Sequence, residues 1–113
     1  MKQGEAWLIN LDPTVGAEKK ETRPAVNVSS DGMGKLPLCI IVPITEWKQH
    51  FRIVPWMVRI ESGDTNGLNK ESSAYCFQVR LVSKNRVVKK LGLNEDLKME
   101  KIKGGLRILF EIR

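Results

Sequence analysis

The sequence predicts a small α+β domain, an antiparallel, barrel-like sheet of five or six strands followed by one C-terminal helix. Three observations carry this. Short β-rich runs recur between residues 6 and 91, separated by clusters of Gly, Pro, Asn and Asp. The apolar spacing then changes to Leu97, Ile102, Leu106 and Leu109, which is roughly helical. A length of 113 residues suits one domain with a single modest core.

Residues 6–11 form a first strand, closed by Asp12-Pro13. Residues 13–22 make a polar loop longer than most hairpin connections, and such loops are often functional. Residues 24–29 read as the second strand, with Pro24 near its start, where a missing N–H does least harm. Residues 30–35 are a turn cluster. The continuous β-branched run 38–43 predicts a central strand buried on both faces. Residues 46–52 are polar, pinned by Trp47 and Phe51. The next strand is 56–60, and 64–70 is a loop with an Asn-Gly turn signal.

One continuous strand is predicted over 73–82, with Gln78 and Arg80 on one face and Val79 and Leu81 on the other. The basic turn Lys84-Asn85-Arg86 leads into 87–91. Asn94 is the predicted N-cap of the helix, with Glu95 and Asp96 in its first turn. Gly104-Gly105 costs a helix about 1 kcal/mol per glycine. Residues 106–112 also alternate as a strand would; helix is the reading adopted.

Lys and Arg outnumber Asp and Glu by 19 to 13, a net charge of +6. Residues 1–60 carry 8 basic and 6 acidic side chains and residues 61–113 carry 11 and 7, so the excess is spread along the chain. A basic surface suits nucleic acid or an acidic protein partner. No apolar run approaches the roughly 18 residues of a membrane-spanning helix. The N-terminus has no signal-peptide core, so the cytoplasm is the expected compartment. Cys39 and Cys76 lie in apolar strand-like runs and read as buried free thiols rather than a disulfide. Neither has a second ligand at zinc spacing, and no metal or other cofactor is expected.

Two anchors stand out. Arg23, held extended by Pro24, closes the charged loop, and Thr45 ends the run Pro43-Ile44-Thr45. A guanidinium and a hydroxyl, each at a strand end, suit a phosphodiester. Taken alone, they imply a basic β-rich domain that binds an anion. A surface arginine paired with Glu18 or Glu21, and a β-branched residue ending a strand, are the bland alternatives.

The segments Asp12-Pro13-Thr14-Val15-Gly16, Glu18, Arg23-Pro24, Pro43-Ile44-Thr45, Gly67-Leu68, Gln78-Val79-Arg80 and Lys89-Lys90-Leu91-Gly92 occur in that order. Together they resemble the MazF/PemK family of toxin endoribonucleases. Each is weak alone, but the ordered set covers nearly the whole chain, read as one domain over 1–113. The chain departs from the pattern at Phe77, where an aspartate usually precedes the glutamine; this bears on base preference more than on fold. The resemblance implies a small SH3-like antiparallel β-barrel with a C-terminal helix, shared with CcdB toxins. It also implies a type II toxin that stops translation by cutting single-stranded messenger RNA. A homodimer would frame the RNA groove with loops of both subunits, and an acidic, partly disordered antitoxin would occupy it.

RNA cleavage without a metal uses the neighbouring 2′-OH as nucleophile. The site must accept that proton, stabilise the phosphorane, protonate the leaving oxygen and hold attack in line. The chain has one histidine, His50, so a two-histidine mechanism is closed. The sequence shows no carboxylate cluster at metal-binding spacing. Arg23 can donate two parallel hydrogen bonds to phosphate oxygens and stabilise the added negative charge. Thr45 can donate to a non-bridging oxygen.

Arginine side chains titrate above about pH 12, which makes them poor general bases. The resemblance nonetheless implies that Arg23 takes part in proton transfer; Glu18 is the other candidate base, or an orienter of Arg23. Lys19, Lys20 and Arg80 would position the RNA through phosphate contacts. Gln78 would bond a base edge or support the site. Trp47, Phe51, Trp56 and Phe77 can stack unpaired bases or anchor the core and a dimer interface. Lys84, Arg86, Lys89 and Lys90 form a phosphate track or a solvated face.

Two rivals follow. One is a protein-binding toxin resembling the CcdB gyrase poisons, which end in Trp-Gly-Ile. This chain ends Phe110-Glu111-Ile112-Arg113 and keeps Arg23 and Thr45, which argues against that reading. The other is a non-catalytic RNA-binding module.

Overall fold

The computed structural model describes residues 1–11 and 22–112. These form β1 (Glu5–Asn10), β2 (Thr22–Asn27), β3 (Leu38–Glu46), β4 (Met57–Ile60), β5 (Ser72–Tyr75), β6 (Arg80–Ser83), β7 (Val87–Leu93) and α1 (Asp96–Phe110). The sheet order is β4-β5-β3-β2-β1-β7, and β6 also pairs with β3. The strand pairs are antiparallel. The α+β class and the closing helix match the sequence reading; the strand count rises to seven among the described residues.

β3 is the hub. It pairs with β2 on one edge and with β5 and β6 on the other. Directly opposed residues share a face of a sheet, and successive residues alternate. Val26, Val42, Ile44, Ala74 and Val58 therefore line one face, where Met99 and Ile102 of α1 complete the larger core. Ile9, Ala25, Cys39, Ile41 and Val82 form a smaller core on the other face. The prediction that this run is buried on both faces is borne out. Cys39 and Cys76 are buried free thiols, as read from the sequence.

The continuous strand expected over 73–82 is broken. From Ile44↔Ala74 to Ile41↔Arg80 the chain advances three residues on β3 and six on the facing segment. The extra residues form the 3₁₀ turn Cys76–Gln78. Pro43 lies on β3 within this gap. Trp47 donates its N–H to Glu71 across the β5 edge, 3.1 Å away, and Ile40 accepts from Val28 across the β2 edge, 2.9 Å away. By alternation, the nitrogen of Pro43 faces the β5–β6 edge, and Pro43 has no hydrogen to donate there. The ladder breaks where that donor is missing. The break also changes the expected faces: Leu81 is exposed, and Val82 takes the buried place.

The helix keeps both glycines. Nothing lies within 4 Å of a Cβ placed on Gly104, whereas one on Gly105 would stand 2.9 Å from the buried Cys76 Sγ. Gly105 lets α1 approach the 3₁₀ turn closely. Met99, Ile102, Leu106 and Leu109 face the core, while Leu97 is exposed. Asn94 is not the N-cap. It is buried, and both its N–H and its Nδ2 donate to the Gly4 carbonyl, at 3.0 and 3.1 Å. Glu95 takes the cap position without a side-chain bond. A Cβ on Gly92 would lie 2.2 Å from the Thr65 carbonyl oxygen, so loop 63–68 sits directly on β7.

Candidate nucleic-acid interface

β2 and β3 pair at Ala25↔Pro43, Val26↔Val42 and Asn27↔Ile41. Carried two residues further, this register sets Arg23 opposite Thr45, on the face that holds the smaller core. The ladder stops before reaching them. Val28 donates toward β3 while the Asn27 carbonyl accepts from Gly4, so even-numbered residues of β2 turn their backbone groups to β3. The nitrogen of Pro24 thus points at β3 with no hydrogen to give. Beyond it the strands part, and a cavity lined by Arg23, Pro24, Ile44, Thr45, Glu46, Lys70 and Ser72 opens.

A second cavity adjoins it, lined by Leu11, Arg23, Pro43, Gln78 and Arg80. This one lies at the break in the β5–β6 side, and the 3₁₀ turn supplies Gln78. Arg80 pairs with Ile41 and shares its face. Each cavity therefore sits where a proline removes a ladder donor, and Arg23 lines both. Arg23, Gln78 and Arg80 are exposed, and Thr45 is half-buried.

Of the residues singled out in the sequence, Arg23, Thr45, Gln78 and Arg80 are brought to this one surface. Glu18, Lys19 and Lys20 lie outside the described residues. Sequence reasoning missed Lys70, whose ammonium is 3.7 Å from the Glu46 carboxylate in the first cavity. Its only sequence signal is its place after the Asn-Gly turn. It also missed Pro43 and Ser72 as lining residues.

The basic group 84–90 is largely engaged in structure. Lys84 Nζ donates to the Gly34 carbonyl at 2.6 Å, Arg86 to the Asn10 carbonyl at 3.3 Å, and Lys90 pairs with Glu5 at 2.5 Å. Phe77 is 64% exposed in the turn that carries Gln78, with its ring 6.2 Å from that of Trp56. Trp47 and Phe51 meet edge to face at 5.9 Å, and His50 stands against Phe51 at 4.6 Å.

One guanidinium thus lines two adjoining cavities, with a hydroxyl, an amide and two more basic side chains around it. The family described as PemK-like, MazF-like toxin of type II toxin-antitoxin system matches residues 2–110, and this chain belongs to it. The chain is 30% identical over 108 residues to endoribonuclease MazF of Staphylococcus saprophyticus, spanning 96% of this chain and 89% of that one. It is 31% identical to endoribonuclease PemK of Escherichia coli, spanning 94% and 79%. Its fold superimposes on a mycobacterial endoribonuclease solved with its cognate antitoxin, with a TM-score of 0.80, 16% identity, and 100% and 97% of the two chains covered. Among the described residues, no helix is long and apolar enough to cross a membrane.

Proposed function

We propose that this toxin binds the scissile phosphate of single-stranded messenger RNA between Arg23 and Thr45 and cleaves it without a metal, by attack of the adjacent 2′-OH. RNA cleavage is the activity of its family, and the chain is a toxin endoribonuclease of that family. The observation that carries the finer reading is the position of Arg23, which lines the cavity of Thr45 and that of Gln78 and Arg80. One phosphate between Arg23 and Thr45 leaves Gln78 and Arg80 in reach of its neighbours on the strand.

Arg23 neutralises the charge that grows on the non-bridging oxygens, and Thr45 donates to one of them. Lys70 and Arg80 add cations that hold the backbone without reading bases. Gln78 offers both a donor and an acceptor to a base edge. Unpaired RNA fits because its bases are accessible and its 2′-OH can rotate into line. Glu18 is the candidate to take the proton of the 2′-OH as its oxygen bonds to phosphorus; the P–O5′ bond breaks, the leaving 5′-oxygen takes up a proton, and the fragments end in 2′,3′-cyclic phosphate and 5′-OH.

The protein acts in the cytoplasm as a homodimer. Ile108, Phe110 and Ile112, exposed at the end of α1, supply apolar surface that a second copy would cover. An acidic antitoxin segment fits the same cations as RNA. The test is an oligonucleotide with a single 2′-deoxy sugar at the cleaved position. Complete resistance there, with normal cleavage of the all-ribose control, is expected. Cleavage at the deoxy position would overturn the 2′-OH route.

A further inference from the structure

We propose that Arg59 is a stacking site for a base next to the scissile phosphate; this inference rests on the RNA-cleavage reading above. Thr45 pairs with Ser73, and Ser73 pairs with Arg59. The three residues form one row across β3, β5 and β4, so Arg59 shares the face of Thr45, Arg23 and Arg80, away from α1. Two strand spacings separate Thr45 from Arg59, about 10 Å between backbones. A single nucleotide spans that distance from its phosphate to its base. Ser73 between them is small and fully buried.

Arg59 is pre-organised for this task. Its guanidinium carbon stands over the Trp47 ring, 5.2 Å from the centroid. Its Nε donates to the Glu71 carboxylate at 2.9 Å. Trp47 and Glu71 are themselves fixed, because the Trp47 N–H donates to the Glu71 carbonyl at 3.1 Å and extends the β3–β5 ladder past Thr45. The Lys98 ammonium caps the Arg59 carbonyl at 2.7 Å. Despite these contacts the Arg59 side chain remains 54% exposed. An exposed guanidinium held beside an aromatic ring offers a surface on which an unpaired base can stack. Base identity matters little to such a contact, so Arg59 would add affinity beside the cut, leaving base recognition to Gln78.

The inference is tested with an oligonucleotide that the native protein cuts once. Kinetics are compared for native protein, Arg59→Ala and Arg59→Lys, on intact RNA and on RNAs made abasic one position at a time around the cut. Arg59→Ala is expected to raise KM about tenfold or more, with kcat nearly unchanged. Arg59→Lys, which keeps the charge and loses the plane, is expected to behave like Arg59→Ala. At one abasic position the native protein should lose the same factor, and the variants should lose nothing further. Independent, multiplying losses at every position would overturn the proposal, as would full function of Arg59→Lys. If the native protein fails to cut intact RNA, the RNA-cleavage reading itself has failed. Circular dichroism confirms that each variant is folded.

Discussion

Arg23 and Thr45 line one cavity just past Ala25↔Pro43, the last pair of the β2–β3 ladder, where Pro24 has no hydrogen to donate. A paired guanidinium and hydroxyl would otherwise project from a closed sheet. The missing donor parts the strands and turns the two residues into the walls of a cavity. Pro43 does the same on the far edge of β3, where Gln78 and Arg80 line the adjoining cavity.

Arg23→Ala should lower single-turnover cleavage by about 10²- to 10³-fold, the usual loss when a donor to transition-state charge is removed. Arg23→Lys should fall between, since it keeps the charge without the two-pronged geometry. The side chain is exposed at a strand end, so thermal unfolding of both variants should stay near that of the native protein. Rate and melting curve, measured on the same preparations, check this.

The two helix glycines should respond with opposite signs. Gly104→Ala places a methyl in open space and should stabilise the fold by about 0.5–1 kcal/mol through helix propensity. Gly105→Ala drives one toward the Cys76 Sγ, 2.9 Å away in a packed core, and should destabilise by about 1–3 kcal/mol. Urea unfolding of the two variants separates them.

Acid stability should depend on Glu5. Burial alone would raise its carboxyl, but the Lys2 N–H and the Lys90 ammonium, each 2.5 Å away, hold it below its ordinary value of 4.5. A carboxyl lowered by folding contributes fully above its unfolded value, and that contribution is lost as pH falls through the folded value. The native protein should therefore weaken below about pH 4.5, and Glu5→Gln should show a shallower decline. Unfolding midpoints between about pH 3 and pH 6 give the comparison.

Thiol chemistry should report unfolding only. Burial pushes the Cys76 thiol up to about 11 and raises that of Cys39. A disulfide-exchange reagent at neutral pH should leave both unmodified in the native protein and titrate both in denaturant. Because folding favours the neutral Cys76 thiol, its contribution should fade as pH rises from 9 toward about 11.

Much of this was legible in the sequence. The run 38–43 gave away the hub, because a strand without polar alternation has to be covered on both sides. Arg23-Pro24 and Pro43-Ile44-Thr45 pointed to two residues that line one cavity. The break at 76–78 was hidden because Cys76, Phe77 and Gln78 carry no turn signature; its cause, Pro43, sits on the partner strand. Asn94 looked like a cap by residue type, while a long-range bond to Gly4 decides its place. Arg59 carried no signal, since its row with Thr45 exists only through β5.

The most direct measurement is cleavage of a long unstructured RNA by purified protein in excess chelator, beside Arg23→Ala and Thr45→Ala, with the fragment ends identified. Discrete fragments ending in 2′,3′-cyclic phosphate, from the native protein and not the variants, are predicted. Intact RNA from folded, antitoxin-free protein, or the same fragments formed by Arg23→Ala at the native rate, would contradict a phosphate held between Arg23 and Thr45.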